Sequence, residues 1–279
     1  MAALLWLRFE DQRGETVLRL KQQQPPWRVV RAFPNGAGET LAHLHNVSGG
    51  VLDNDDLRLQ VEIGADARAQ LTTTGATRVY RSRSADAISR QRTEITVCER
   101  GLLEYLPDPL IPYAQSRFEQ STTIDVREES TLFWWETIAP GREAAGEIFA
   151  YHALRNSLDL RVDGRLVALE RFSIEPKLRN PGSPARLGPF RYFCAFYACQ
   201  AGRDPQSWCQ LESELGDLAG ELSRPGDVLW GVSALAGCGL VIRGVSTKGR
   251  DLTRGLPAFW RVAKWFLCGR VAAIPRKMN

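Results

Sequence analysis

Gly49-Gly50-Val51-Leu52-Asp53-Asn54-Asp55-Asp56-Leu57-Arg58-Leu59-Gln60-Val61-Glu62-Ile63-Gly64 decides how this chain is read, because one segment holds a turn, an acid cluster and an unbroken strand pattern. The Gly-Gly pair makes a turn that glycine adopts without strain. Asp53, Asp55 and Asp56 then crowd three carboxylates into four positions, a candidate for holding a hard cation or handling protons. From Leu57 to Ile63 apolar and polar residues alternate without a slip, which predicts a strand with one buried and one open face. A second strand is predicted over Ala67 to Leu71. It runs into the hydroxyl-rich Thr72-Thr73-Thr74-Gly75-Ala76-Thr77 and leaves through Arg78-Val79-Tyr80-Arg81-Ser82.

Toward the N-terminus, the pattern from Leu4 to Leu20 around Gln12-Arg13-Gly14 predicts a hairpin. A strand from Trp27 to Phe33 ends at the turn signal Pro34-Asn35-Gly36. His43 and His45, two apart, would share one face of a strand, the geometry of a two-imidazole site or of a plain pair of surface histidines.

Toward the C-terminus, strands are expected at Ile88 to Cys98 and Leu102 to Leu106, before the rigid Pro107-Asp108-Pro109. Phe118 to Val126 and Thr131 to Ile138 read as a strand pair, and Ile148 to Ala153 as a further strand. Glu136 follows Phe133-Trp134-Trp135, where desolvation would raise its pKa unless a cation sits nearby. Asp163-Gly164 predicts a two-residue hairpin turn, with Leu160 facing Val167, Leu158 facing Leu169 and Ser157 facing Glu170. That register sets Leu158, Leu160, Val162, Val167 and Leu169 on one apolar face and turns Glu170 away from it.

Turn-rich sequence from Lys177 to Pro189 marks a boundary. Beyond it lie an aromatic strand from Phe190 to Cys199, a helix opened by Asp204-Pro205, a hairpin from Asp227 to Ser246 and a helix from Pro257 to Cys268. The expected fold is mainly β (α+β). A large antiparallel multi-strand β body spans 1–176, and two C-terminal helices and a hairpin in 190–279 pack on it. No repeat of fixed period stands out.

A chain of 279 residues with 44% hydrophobic and 24% charged residues is long enough to bury a sizeable core. The net charge of +4 and the spread of its arginines argue against a nucleic-acid partner. Six cysteines without a Cys-x-x-Cys pair read as free thiols in a reducing compartment. No signal-peptide pattern and no membrane-length apolar run occurs, so a cytoplasmic protein is expected. Phosphate-loop, dinucleotide, zinc-protease and serine-elbow motifs are missing, leaving the carboxylates and hydroxyls Asp53, Asp55, Asp56, Thr77, Glu136, Glu147 and Glu170. On a β scaffold these would suit a glycoside hydrolase, whose paired carboxyls stand roughly 5–10 Å apart, with Tyr105, Trp134 and Trp135 beside them.

The stretch from Gly49 to Ser82 resembles the signature block of the urease accessory protein D family, also called H. Leu103-Glu104-Tyr105-Leu106-Pro107, Trp135-Glu136, Gly141-Arg142, Gly146-Glu147 and Leu169-Glu170-Arg171 follow in that family's order. The resemblance implies a non-enzymatic maturation factor, with no catalytic residue and no tightly bound cofactor. Its implied partners are urease accessory proteins F and G, the latter a GTPase, and apo-urease, in a dimer of heteromeric complexes. It also implies transient passage of nickel through a water-filled interior, with Asp55, Asp56, Thr77, Glu136 and Glu170 as the residues along the path. Oxygen donors suit passage, because thiolate cages would hold the ion too tightly to release it. Competing readings are turn caps or arginine partners for Asp55 and Asp56, and a surface pair with Arg171 for Glu170. Asp108 departs from the family's usual glutamine, and the end, Pro275-Arg276-Lys277-Met278-Asn279, lacks the family's terminal aromatic.

Overall fold

A computed structural model describes residues 2–36, 38–84, 86–235 and 237–275. β1 (Ala2–Gln12) and β2 (Glu15–Gln23) form the expected hairpin around Arg13 and Gly14. The strand expected from Trp27 to Phe33 is two short pieces, β3 (Trp27–Arg28) and β4 (Ala32–Pro34), and both pair with β5 (Thr40–Asn46). The chain then winds through β6 (Asp56–Ile63), β7 (Arg68–Thr73), β8 (Thr77–Val79), β9 (Ser89–Val97), β10 (Leu102–Tyr105), β11 (Leu110–Pro112), β12 (Arg117–Val126) and β13 (Thr131–Ile138). A hairpin follows, β14 (Ala153–Val162) and β15 (Arg165–Ile174), and then β16 (Tyr192–Gln200). α1 (Pro205–Leu222), β17 (Val228–Leu235), β18 (Gly239–Ser246) and α2 (Gly249–Cys268) complete it.

The body is mainly β with C-terminal helices, but its centre is parallel, not antiparallel. One sheet has seven strands in the order β15-β14-β12-β9-β6-β1-β2, and β1, β6, β9, β12 and β14 pair in parallel. The second sheet has eleven strands on the path β17-β18-β16-β13-β10-β7-β5-β3, with β4, β8 and β11 branching from it. Its centre, β5, β7, β10 and β13, is again parallel. Alternation reports which face of a strand is buried and says nothing of its neighbour's direction. Each sharp corner carries the chain across to the opposite sheet, so β12 and β13, expected to pair, lie in different sheets, as do β6 and β7. Each coil then returns beside the previous one, and the opposite strand serves as the crossover that parallel pairing needs. Successive coils begin at Asp56, Ser89 and Arg117, unequal spacings that leave no fixed sequence period.

The corners stack. Asp66, Arg100 and Glu129 occupy equivalent positions with φ of 61°, 55° and 56°. Asp66 N–H donates to the Glu99 carbonyl and Arg100 N–H to the Glu128 carbonyl. Arg100 also grips Asp66 with Nε at 2.7 Å and Nη2 at 2.8 Å. One apolar core fills the space between the sheets. A second lies between the outer face of the larger sheet and the helices, where Trp208, Leu211 and Leu215 of α1 meet Phe259, Trp260 and Ala263 of α2.

Three further expectations are corrected. Residues 148–152 form no strand, and regular pairing begins at Ala153 after a 3-10 turn at Glu143–Ala145. α2 starts at Gly249, eight positions before Pro257, which sits inside the helix. Tyr197 and Phe196 of the aromatic strand β16 are buried in the core. In the β14–β15 hairpin Val162 does face Arg165, but Val167 is an extra, unpaired residue, so Leu160 faces Ala168 and Leu158 faces Glu170. The bulge shifts every later residue by one, turning Leu169 to solvent and Glu170 inward. The atypical tail at 276–279 lies outside the described residues.

Candidate functional site

The inward positions of three neighbouring parallel strands read Ser89-Gln91-Thr93-Ile95-Val97, Phe118-Gln120-Thr122-Ile124-Val126 and Leu154-Asn156-Leu158-Leu160-Val162. The apolar ends align and form core. The polar positions align too, so Gln91, Gln120 and Asn156 lie side by side, as do Thr93 and Thr122. Amides facing a sheet gap keep it from closing dry, because buried polar groups require partners. A cavity of about 240 Å³ opens there. Its wall takes Gln91, Thr93, Gln120 and Thr122 from the smaller sheet and Tyr105, Trp134 and Glu136 from the larger. Thr73 to Arg78 and the Gly49-Gly50 turn frame the rest. Gly50 is required by close approach, since a Cβ there would stand 2.4 Å from the Arg78 carbonyl oxygen and 2.7 Å from the Tyr80 ring.

Glu136 is the acid of this cavity. β13 presents it toward the smaller sheet, where the Gln120 and Asn156 amides each donate a hydrogen bond to its carboxylate. Burial pushes its pKa up to about 7, nearby Glu170 adds to the rise, and the two amides oppose it. Among the described residues the Nε1–H groups of Trp27 and Trp134, on the cavity wall, have no protein partner, nor has the Asn156 Oδ1 behind Glu136. Such groups offer hydrogen bonds to water or to a hydrated ion in a space of this size.

The remaining sequence candidates separate. Thr77 opens β8 on the cavity wall. Asp55 is buried and its Oδ2 accepts the Leu52 N–H at 2.9 Å, closing the turn before β6. Asp53 accepts the Arg83 N–H at 3.2 Å. Asp56 pairs with Arg92 at 2.5 Å on the outer face. Glu170 reaches the larger sheet, accepting from the Tyr197 hydroxyl and standing 3.3 Å from Arg243. The Tyr197 pKa is raised, first by burial and then by this carboxylate. Glu147 holds Arg142 and the Ala114 N–H, and Arg142 stacks over Tyr113 at 4.2 Å. His43 is buried edge-on to Phe33, and His45 is kept neutral-leaning by burial and by His43. Among the described residues no three His, Cys, Asp or Glu side chains gather as a metal cage. The described cysteines are all free.

Gln91, Gln120, Asn156, Thr93 and Thr122 escaped the sequence reading. Their signal was present as polar residues interrupting an apolar inward phase, but it gains meaning only once parallel pairing aligns the interruptions.

A family model described as UreD urease accessory protein matches residues 1–279. A protein named urease accessory protein UreD from Herpetosiphon aurantiacus is 43% identical over 274 residues, covering 98% of this chain and 95% of that protein. One of the same name from Dechloromonas aromatica is 30% identical over 282 residues, 99% of this chain and 94% of its own length. Another, from Lysinibacillus sphaericus, is 33% identical over 177 residues, 63% and 66% of the two chains.

Proposed function

The chain belongs to the UreD family of urease accessory proteins, and we propose that within urease maturation it conducts nickel, as cargo, through the space between its two sheets toward apo-urease. The observation that carries this reading is the Glu136 carboxylate, set inside a polar cavity and held by amides from the opposite sheet. Thr77 and the unpartnered indole N–H groups of Trp27 and Trp134 support it, as oxygen and hydrogen-bonding sites for a partly hydrated cation. A lone carboxylate binds a divalent ion weakly enough to release it. Glu170, reaching from the smaller sheet to Tyr197 and Arg243, is the next oxygen station. Asp55 shapes the turn beside the cavity, and Asp56 lies on the outer face. The ion would be handed over within a complex containing accessory proteins F and G, with the GTPase supplying the driving step.

The test is urease activity and urease-bound nickel in cells carrying a urease operon with this gene intact, deleted, or encoding Glu136→Leu. Leucine keeps the volume and removes the charge. Deletion and Glu136→Leu should both leave urease unloaded, while the variant still co-purifies with its partners. Active urease after deletion would end the maturation reading. Full rescue by Glu136→Leu would leave a docking scaffold in place of a conduit.

A further inference from the structure

Arg250, Arg254, Arg261 and Trp265 stand at i, i+4, i+11 and i+15 of α2, offsets that return to one helix face. All four are exposed, Trp265 to 63%. Past the helix end, Val271 and Ile274 are exposed to 81% and 53%.

On the sheets many arginines are held by acids, as Arg92 is by Asp56, Arg100 by Asp66, Arg155 by Glu119 and Glu175, and Arg171 by Asp159. Among the described residues Arg250, Arg254 and Arg261 make no ion pair. The single acid of α2, Asp251, is occupied by Arg224 at 2.8 Å and by the Ser246 hydroxyl at 3.1 Å. The neighbouring helix sharpens the contrast. α1 carries Glu212, Glu214, Asp217 and Glu221 with no Lys or Arg, and although it packs beside α2, among the described residues no ion pair joins its acids to the three arginines. The helical layer is therefore dipolar, acidic along one helix and basic along the other.

We infer that the Arg250–Arg254–Arg261 row, with Trp265 as its apolar anchor, is a docking strip for an acidic segment of a protein partner. The row from Arg250 to Arg261 is about 17 Å long, the length of three helical turns or five extended residues. Aligned guanidinium groups suit carboxylates on such a segment, and Trp and Arg are the side chains in which interface energy concentrates. The acids of α1 decide the partner's shape. A broad polyanion, whether a nucleic acid or an anionic bilayer, would cover α1 as well and meet four carboxylates, whereas a narrow acidic ridge lies over α2 alone. That the partner is urease or another maturation protein rests on the function proposed above.

The experiment measures binding of the purified chain to two separate probes, apo-urease and the co-expressed remaining urease accessory proteins, at low and high salt. Arg254→Glu with Arg261→Glu should weaken binding to one probe by about tenfold or more and remove its salt dependence. Trp265→Ser should weaken it with the salt dependence kept. The exposed control Glu214→Lys with Asp217→Lys should not weaken it, and circular dichroism should show each variant folded. Unchanged binding by the arginine variant overturns the proposal, and so does sedimentation of the wild type with phosphatidylglycerol vesicles in place of either probe. Failure of the wild type to bind either probe also overturns it, while the deletion phenotype decides the maturation reading independently.

Discussion

Glu170 stands opposite Leu158 on the adjoining strand, and this one-residue slip from the register of an unbulged hairpin turns its carboxylate into the molecule. Val167 absorbs the slip as the extra residue between paired Leu166 and Ala168. Leu169, which the unbulged register buries, is 59% exposed. Leu169→Lys should therefore change stability by no more than about 0.5 kcal/mol. Leu158→Ala, at a fully packed position, should cost about 2–5 kcal/mol. Urea midpoints measure both, and a large loss for Leu169→Lys would restore the unbulged register.

Glu136 should make stability depend on pH. Its folded pKa, near 7, lies above the ordinary 4.5, so the folded state holds the proton more tightly than the unfolded chain. Its contribution is fully present below pH 4.5, declines as pH rises toward 7, and is lost above that. Glu136→Gln removes this term and should stabilise the protein above neutrality by about 1–3 kcal/mol. The Asn156 amide can turn its unpartnered Oδ1 toward the new side-chain NH₂. Thermal melts across the range should show the two proteins converging in acid and separating in base. Parallel curves would mean that Glu136 titrates normally.

What the sequence made legible follows from which forces act locally. Strand existence was readable because period-two alternation is local, as in Leu57 to Ile63. Helix α1 was readable because Pro205 opens it and Trp208, Leu211 and Leu215 recur at its period. Pairing partners were hidden, since the corners at Asp66, Arg100 and Glu129 are held in the left-handed region by stacking on one another, a contact between coils. The bulge at Val167 was hidden for a related reason: Glu170 meets Tyr197 and Arg243 on the other sheet. At the cavity, Thr77 and Glu136 were named from sequence. Their amide partners on β12 and β14 became visible only when the strands lay side by side.

The corners themselves offer a test. Glu129 is exposed at φ 56°, a conformation that costs an L residue about 1 kcal/mol and glycine almost nothing. Glu129→Gly should leave stability unchanged or raise it by up to about 1 kcal/mol, whereas the same change within a strand is destabilising. A clear loss in the urea midpoint would show that this corner is not left-handed in solution.

Lys264 ties α2 to the body through a network closed to water. Its Nζ lies 3.0 Å from Glu39 Oε2 and 3.0 Å from Glu104 Oε1, and all three side chains are buried. Trp260 Nε1–H and the Gln70 amide also donate to Glu104, while Arg270 approaches Glu39 at 3.4 Å. Burial raises the Glu104 pKa and Lys264 opposes the rise. Lys264→Met fills the space but leaves the carboxylates without their ammonium, so it should cost about 3–5 kcal/mol. The sign of its pH dependence follows. Without the lysine the Glu104 pKa rises further, so the deficit should be smaller at ~pH 5 and larger at ~pH 8, where the stranded carboxylate is ionised. Adding Glu104→Gln to Lys264→Met should recover part of the loss at the higher pH. Equal deficits at both pH values, unrelieved by the second substitution, would mean that Lys264 acts through its alkyl stem alone.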